Sequence, residues 1–273
     1  MYEVTAVYNT QVIAMGYSNV VRALILNLTA AAAQEIKIGE PVEARRDYLT
    51  QTYNVETLAD NSQAISNSDL IILAVKPQDL IKVTTELKTS IKPTQTALSI
   101  LAGTKIPTIK DSINHSSIIR VMPNTPAQIG CGMSMWTCTP QVDPNTREIT
   151  RTILSSIGKE IFIEDEKYLD MATALSASGP AYVFLFIEAL IDAGVYVGLP
   201  RDISRTLALQ TVLGSTQLVL ETGNHPSVLK DMVVSPGGTT AEALQVLEMV
   251  GFPGTIVNAV NSAYQKAISL GKE

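Results

Sequence analysis

The sequence contains few of the residues on which metal sites, disulfide frameworks and histidine catalysis depend. Its 273 residues include two cysteines, two histidines and one tryptophan. Cys131 and Cys138 are too few for a disulfide framework and match no common zinc spacing, so we expect two buried thiols in or near a strand and no bound metal. His115 and His225 stand apart from any partner motif, which favours surface or capping roles over acid–base catalysis.

Charge is also scarce, and its balance is negative. Charged residues make up 17% of the chain, and the net charge is −6 at pH 7. Basic residues are scattered, which disfavours general nucleic-acid binding. The N-terminal residues lack the features of a signal peptide, and the most apolar run, residues 181–199, carries Glu188 and Asp192. We therefore expect a cytoplasmic protein that binds neither membrane nor nucleic acid.

Short apolar runs alternate with amphipathic stretches up to about residue 165. This alternation predicts a parallel sheet with helices on both faces, a Rossmann-type domain over residues 1–165. The predicted strands are Val12–Met15, Ile36–Ile38, Leu70–Val75, Ala97–Leu101, Ile118–Met122 and Met133–Thr137. The predicted helices are Asn19–Ala33, Ala44–Tyr53, Asn61–Asn67, Leu80–Thr89 and Pro107–Ile113.

Residues 166–273 follow a different pattern. Apolar residues recur there at helical spacing, and Gly-Pro and Pro-Gly pairs punctuate the run, which predicts an all-helical domain. Many of these helices are apolar on nearly every side. A domain this small cannot bury so much apolar surface alone, so we expect it to dimerise through these helices.

The stretch QVIAMGYSNVVRALI, residues 11–25, is built like the start of a dinucleotide-binding fold. The usual turn reads G-x-G-x-x-G, and here only Gly16 remains of the three glycines. Ser18 keeps a small side chain whose hydroxyl can donate to a phosphate. The branched side chain of Val21 should push the helix away from the strand. Alone, this motif is a weak indication of a cofactor loop.

The ends of later strands strengthen that interpretation. Glu40 follows the second strand, where an acidic residue accepts hydrogen bonds from the adenosine ribose of NAD. Arg45 and Arg46 follow closely and could instead meet the 2′-phosphate of NADP; a solvated helix start is the plain alternative. Two more strands run into the proline-containing loops Lys76-Pro77 and Pro123–Pro126, which suit the walls of a ligand crevice or ordinary turns.

The segment Ser235-Pro236-Gly237-Gly238-Thr239-Thr240 is the sharpest motif in the second half. It predicts a tight turn followed by a helix start. Free N–H groups, side-chain hydroxyls and close backbone approach at two glycines suit a carboxylate or phosphate. A simple capping box from Thr239 to Glu242 is the structural alternative, and both can hold.

Several motifs, in order and at matching separations, resemble pyrroline-5-carboxylate reductases. They are AVKPQ, MPNTP, LSASGPAYVFLFIEALIDAGVYVGLPR, HPSVLKDMVVSPGGTTAEALQVLE and the Gly-Phe pair at 251–252. The resemblance runs from about residue 36 to residue 272. It implies a Rossmann domain followed by an interlocking helical domain, with dimers often assembled into rings. It also implies reduction of pyrroline-5-carboxylate to L-proline, the last step of proline biosynthesis, by NADPH or NADH, and it favours NADPH.

The resemblance also implies functional residues. Its substrate residues fall on Thr239 and Thr240, with Ser235 and Gly238 in the same turn and Glu166 at the domain junction. The Thr240 hydroxyl would hydrogen-bond the ring nitrogen. Together with Glu40, the residues expected to bind the cofactor are Met15, Gly16, Tyr17, Ser18, Asn19, Val20, Asn61, Ala74, Val75, Lys76, Pro77, Ile100, Leu101 and Ala102.

The N-terminal residues depart from the family, which usually reads close to IGFIGGGNMAEALI here. A working variant that binds through Ser18, a weakened cofactor site and an artefactual N-terminal sequence all fit the departure. An active reductase, predicted from the C-terminal motifs, is the leading hypothesis. A catalytically silent relative that binds proline-like acids, or a Rossmann reductase acting on another imine or hydroxy acid, are its alternatives.

Overall fold

The computed structural model describes residues 12–15, 18, 20–25, 36–75 and 79–271. They form two compact units. The first holds the described residues up to Ser178 together with those from Ala263 onward, and the second is Gly179–Ser262. The first unit contains the sheet and the second is helical, as the change of sequence pattern predicts.

An eight-stranded sheet runs through the first unit in the order β3-β2-β1-β4-β5-β6-β7-β8. Its strands are β1 (Val12–Met15), β2 (Ile36–Gly39), β3 (Glu56–Leu58), β4 (Leu70–Leu73), β5 (Thr96–Ser99), β6 (Ile118–Met122), β7 (Gly132–Cys138) and β8 (Gly158–Phe162). Every neighbouring pair is parallel except β6 with β7. The predicted parallel sheet is therefore confirmed, with one antiparallel pairing that the pattern did not indicate.

Helices cover both faces of this sheet. Residues 20–25 are helical and are called α1. The others in this unit are α2 (Glu43–Tyr53), α3 (Asn61–Ile65), α4 (Leu80–Leu87), α5 (Ile106–Ile113), α6 (Pro144–Ser156) and α7 (Lys167–Ala172), followed by a π-helical turn (Thr173–Ala177). Neighbouring strand residues alternate between two buried clusters: Ile13 and Ile71 belong to one, and Ala14 and Ile72 to the other. Both clusters are apolar, so the central strands are buried on both sides.

Three elements escaped the sequence prediction. β3 is a short edge strand of exposed and half-buried residues, and β8 at the other edge alternates half-buried and exposed residues. Neither has the continuous apolar run of a central strand. The helix α6 was also missed, although Asp143 followed by Pro144 is a typical helix start.

The predicted burial of the cysteines and the predicted roles of the histidines are each confirmed for one residue and wrong for the other. Cys131 is exposed, so its predicted burial is wrong. Cys138 ends β7 and is partly buried, and this burial raises the pKa of its thiol. His225 caps a helix as predicted, since its Nδ1 accepts the N–H of Ser227 at 3.2 Å. His115 is buried instead of lying on the surface, and its Nε2 lies 2.7 Å from the carbonyl oxygen of Gln95.

The second unit is built from helices that bury little of their own apolar surface. They are α8 (Gly179–Tyr196), α9 (Arg201–Thr222), α10 (Pro226–Val233), α11 (Thr239–Met249) and the first part of α12 (Phe252–Leu270). Gly194 lets α9 approach α8 closely, because a Cβ there would lie 1.8 Å from Ser204 Oγ. Yet Phe184 and Leu185 of α8 are 61% and 67% exposed. Within the described part of the chain, this apolar face has no cover.

A length and composition test for membrane spans finds one candidate among the described residues, Lys167–Tyr196. The bent pair formed by Thr239–Met249 and Phe252–Leu270 passes the same test when the two helices are joined. Core helices of water-soluble proteins pass it too, so the test separates membrane from subunit contact only weakly.

Asp143 caps the start of α6 with its side chain. Its Oδ1 accepts the N–H of Thr146 at 3.0 Å and its Oδ2 accepts the Thr146 hydroxyl at 2.6 Å. We expect Asp143→Ala to lower the free energy of unfolding by about 1 kcal/mol at neutral pH, because α6 loses its cap. Urea denaturation measures this loss, and Asp143→Asn, which keeps an acceptor oxygen, is the matched control.

The pH dependence of this cap has a defined sign. The Thr146 hydrogen bonds lower the pKa of the Asp143 carboxyl. The charge-specific stabilisation is therefore present above the unfolded pKa and is lost as the pH falls through the lower folded pKa. The difference in the free energy of unfolding between the native protein and Asp143→Asn should therefore decrease in acid. A difference that stays constant with pH would show that the charge of Asp143 does not stabilise the cap.

Candidate functional site

The predicted cofactor residues gather at one edge of the sheet. β1, β2, β4 and β5 are parallel and in register, so that Met15 pairs with Gly39 on one side and with Leu73 on the other. The chain leaves each of these strands at the same edge. Glu40 follows β2 there, and Ala74 follows β4, where its N–H donates to the Met15 carbonyl at 3.0 Å. Such an edge is where open α/β sheets bind ligands.

The turn after β1 is described only at Ser18. Gly16, Tyr17 and Asn19 lie outside the described residues. The Ser18 Oγ accepts the N–H of Val21 at 3.3 Å and so caps the start of α1. Val21 is 1% exposed and belongs to the main core cluster. The Val21 side chain is thus accommodated inside the core, and the expectation that it displaces the helix outward stays a prediction.

Glu40 is held at the turn between β2 and α2 by three contacts. Its side chain is almost fully buried, its Oε1 accepts the N–H of Val42 at 3.0 Å, and its Oε2 lies 3.7 Å from Arg45 Nη1. Arg46 Nη1 donates to the carbonyls of Glu40 and Pro41 at 3.0 and 2.8 Å. One guanidinium group, that of Arg45, thus offsets the carboxylate, and Arg45 is exposed on the outer side of the turn.

Asn61 presents a buried acceptor beside the end of β2. Its Nδ2 donates to Glu86 Oε2 at 2.8 Å, which fixes the orientation of the amide. Its Oδ1 is buried and has no hydrogen-bond partner among the described residues. A Cβ on Gly39 would lie 2.4 Å from this oxygen, so the glycine keeps the space open. A buried acceptor without a donor suits a hydroxyl or amine of an adenosine group.

The loop after β5 contributes the other edge residues. The Ile100 N–H donates to the Leu73 carbonyl at 3.2 Å, and the Leu101 N–H donates to Ser99 Oγ at 3.3 Å. Ala102 is half-buried beside them, as is Val75 after β4. Lys76 and Pro77 lie outside the described residues.

An ion group centred on the buried Arg120 connects β6 with Glu166 and with Asp170 of α7. Arg120 Nη1 donates to Glu166 Oε1 at 2.7 Å, and its Nη2 donates to Asp170 Oδ1 at 3.0 Å. Glu166 Oε1 also accepts the N–H of Ile106 at 2.8 Å. The same strand leads to Asn124, whose Oδ1 accepts the Met133 N–H at 2.8 Å. Glu166 is thus bound to groups of its own unit, and its predicted contact with substrate stays a prediction.

The motif of the second unit forms the expected turn and helix start. The Gly238 N–H donates to the Ser235 carbonyl at 3.0 Å, and α11 begins at Thr239. Gly238 itself is the N-cap, so the capping box from Thr239 to Glu242 is wrong. A Cβ on Gly238 would lie 2.2 Å from Ser235 Oγ.

No side chain caps the start of α11 in the described residues. The N–H groups of Ala241 and Glu242 donate to the Gly238 carbonyl, so those of Thr239 and Thr240 are the ones left for an anion. The hydroxyl groups of Ser235, Thr239 and Thr240 lie in the same turn. This arrangement can hold a carboxylate and place a hydroxyl beside it.

Comparison with known proteins identifies the family. Residues 166–270 match the family model described as pyrroline-5-carboxylate reductase dimerisation, and residues 11–103 match NADP oxidoreductase coenzyme F420-dependent. A pyrroline-5-carboxylate reductase of Synechocystis sp. is 45% identical over 242 residues, which are 89% of this chain and 90% of that protein. The chain belongs to the pyrroline-5-carboxylate reductase family.

Solved structures of this family have the same fold. A Plasmodium falciparum pyrroline carboxylate reductase with NADP bound is 33% identical, with a TM-score of 0.88 over 97% of this chain and 100% of that one. A pyrroline-5-carboxylate reductase of Coxiella burnetii is 31% identical, with a TM-score of 0.87 over 97% and 99% of the two chains. The predicted resemblance and the Rossmann-type fold with a helical domain are both confirmed.

Sequence reasoning missed several polar residues that organise the edge. Arg120 interrupts an apolar strand, which is a readable signal, because a charged residue in a buried run needs a buried partner. Its partner Asp170 and the Asn61 partner Glu86 carry no such signal, since acidic residues are common on helices. No group of three or more potential metal ligands lies close together in the described part of the chain.

Gly39 allows a direct test of the cofactor edge. We expect Gly39→Ala to weaken reduced-nicotinamide binding by about tenfold, because the new methyl group displaces the Asn61 amide. Fluorescence titration with NADPH measures the change. The matched control is Gly214→Ala in α9, where a Cβ would meet only Gln210 Nε2, at 3.9 Å. Equal affinities of the two variants would remove Asn61 from the cofactor site.

Proposed function

We propose that this protein reduces L-1-pyrroline-5-carboxylate to L-proline with NADPH, and with NADH as the weaker donor. The observation that carries the proposal is the similarity to pyrroline-5-carboxylate reductases across nearly the whole chain. The site geometry supports it independently, since a dinucleotide-type sheet edge and an anion-binding helix start both occur in one chain. The reaction is the last step of proline biosynthesis.

Binding of the substrate carboxylate is assigned to the second unit. The N–H groups at the start of α11 and the hydroxyls of Ser235 and Thr239 hold the carboxylate. Gly238 permits the backbone approach, because any larger residue would collide with Ser235. The Thr240 hydroxyl hydrogen-bonds the ring nitrogen and orients the imine. These residues position the substrate, and such positioning is a large part of catalysis when a reactive cofactor supplies the chemistry.

The chemical step needs few protein groups. A bound NADPH would supply a hydride for the new C–H bond at the imine carbon, and the C=N electron pair would move to nitrogen. The imine can arrive already protonated from water, so the nitrogen ends as an amine without a strong protein acid. This agrees with a sequence that offers two histidines and no catalytic motif around either.

The cofactor residues remain those at the sheet edge. We assign the pyrophosphate to the turn Gly16–Val20, where Ser18 replaces a glycine, and the adenosine to Asn61 and Glu40. The loops after β4 and β5 take the nicotinamide side, through Ala74–Pro77 and Ile100–Ala102. We interpret the turn as a working variant, because Ser18 caps α1 and Val21 is buried in the core.

The assembly follows from the exposed apolar helices. The chain self-associates through residues 166–270, the segment that matches the dimerisation family. We further propose a dimer as the basic unit, rings of dimers, a cytoplasmic location, and no membrane or nucleic-acid partner. The division into residues 1–165 and 166–273 is proposed as the functional boundary between cofactor and substrate domains.

A titration with both nicotinamide cofactors tests the proposal first. Saturable binding, followed by cofactor oxidation when pyrroline-5-carboxylate is added, is the expected result. Arg45→Ala should weaken NADPH binding by about tenfold and leave NADH binding unchanged, because only NADPH carries the 2′-phosphate. Binding of neither cofactor would overturn the reductase assignment and favour a silent relative.

Thr240 tests the substrate site. We expect Thr240→Val, which has a similar shape without the hydroxyl, to lower kcat/KM for pyrroline-5-carboxylate by about 10- to 100-fold. The affinity for NADPH should not change. Thr240→Ser restores the hydroxyl and serves as the control, and steady-state kinetics of the three proteins decide. Unchanged kinetics of Thr240→Val would rule out the bond to the ring nitrogen.

A further inference from the structure

Arg120 is an unusual residue for the middle of a sheet. It lies on β6 with 1% of its surface exposed, between Glu166 at 2.7 Å and Asp170 at 3.0 Å. Burying such an ion group is costly, and apolar side chains of similar volume often give equal or greater stability. Stability alone therefore does not explain why this strand carries a charge.

The second contact of Glu166 indicates a role. Its Oε1 accepts the N–H of Ile106, the first residue of α5, at 2.8 Å. The N-cap residue of that helix, Lys105, makes no side-chain capping bond of its own. Glu166 therefore supplies the missing cap from a segment far along the chain, and one carboxylate oxygen joins β6 to the start of α5.

Contacts with β6, and with Glu166, which Arg120 of β6 binds, hold both ends of the loop 100–105. At its start, Ser99 pairs in register with Arg120, and the Ser99 Oγ accepts the N–H of Leu101. At its end, Ile106 is held by Glu166, which Arg120 holds in turn. The loop contains the residues assigned above to the nicotinamide side. The sheet therefore holds the start of this loop, and the Arg120–Glu166 pair holds its end.

The same ion group holds the start of the segment 166–178, and Asn124 holds a residue near its end. Glu166 and Asp170 lie at its start, and near its end the Ser176 carbonyl accepts from Asn124 Nδ2 at 3.3 Å. Asn124 stands a few residues after Arg120, where β6 has just ended. The chain enters the second unit at Gly179, directly after this segment.

We propose that Arg120, Glu166 and Asp170 form a positioning triad for hydride transfer, with Glu166 acting on the loop 100–105 rather than binding the substrate. The inference rests on the reductase function proposed above. The triad ties the nicotinamide-side loop and the segment that leads to the substrate-binding unit to the same strand. Displacements of about 1 Å between reacting groups can cost about 100-fold in rate, so such an anchor matters for kcat.

Variants of Glu166 separate positioning from substrate binding. Glu166→Ala removes the acceptor for the Ile106 N–H, whereas Glu166→Gln keeps an acceptor oxygen at that place. We expect Glu166→Ala to lower kcat by about 10- to 100-fold with little change in KM for the substrate. Glu166→Gln should recover most of the rate. Asp165→Ala, next in the chain with an exposed side chain that pairs with Lys167, is the control with kinetics unchanged.

Hydrogen exchange gives a readout that does not depend on activity. The Ile106 amide should exchange about tenfold faster in Glu166→Ala, because its acceptor is gone, and near the native rate in Glu166→Gln and Asp165→Ala. A purely structural role would lower the melting temperature without this local change or a fall in kcat. Either that result or a higher substrate KM in both Glu166 variants would overturn the proposal.

A variant on the other side of the bond covers the case in which Glu166→Ala does not fold. Ile106→Pro deletes the donor N–H and leaves Arg120 and Glu166 paired; because it also removes a side chain that packs against a core cluster, Ile106→Ala is its matched control. Proline is tolerated at the first position of a helix. Lys105 already has φ −79° and ψ 156°, the extended backbone that a residue before proline prefers. We expect the same fall in kcat, and native kinetics would contradict the triad.

These measurements also separate this inference from the proposed function. If the native protein shows no reductase activity, the exchange experiment still reports whether Glu166 holds the start of α5. Fast exchange in Glu166→Ala without any activity would reject the reductase and keep the structural link. Normal activity with unchanged exchange would keep the reductase and reject the triad.

Discussion

The parallel register of β2, β1, β4 and β5 is the constraint on which the rest of the first unit depends. These strands are buried on both faces, so their backbone groups must pair within the sheet and their side chains must fit two apolar clusters at once. A slip of one residue would exchange the two faces. Because the register is fixed, the chain leaves these four strands at the same edge, and the loops proposed to bind the cofactor follow them there.

Several polar side chains are buried near this edge, and they differ in whether all of their polar atoms have hydrogen-bond partners. Glu40 is offset by Arg45 and held by the Val42 N–H, so a buried carboxylate does not oppose a phosphorylated ligand. The Asn61 amide is bound at its nitrogen and open at its oxygen. The guanidinium group of Arg120 is paired with the carboxylates of Glu166 and Asp170. Buried polar groups that are paired fix a single arrangement, whereas an open acceptor in the same region points to a ligand.

The second unit differs from the first because its apolar side chains are largely exposed. Its helices expose large apolar side chains such as Phe184 and Leu185, and a helical unit of this size cannot cover them by itself. The polar groups that matter there are at a helix start, where Gly238 caps α11 without a side chain and leaves N–H donors free. One unit therefore depends on its own core, and the other depends on a second copy of the chain.

The sequence by itself determined the class of fold and located the motifs from which the sites are proposed. Strand and helix periods identified the parallel sheet, the helical second half and the Ser235–Thr240 turn, because these depend on local patterns of apolar residues, glycine and proline. Only the tertiary structure decided that Val21 fits the core, that Gly238 caps α11, and that Arg120 joins Glu166 to Ile106. Those outcomes depend on groups distant in sequence meeting in space, and no local pattern records such a meeting.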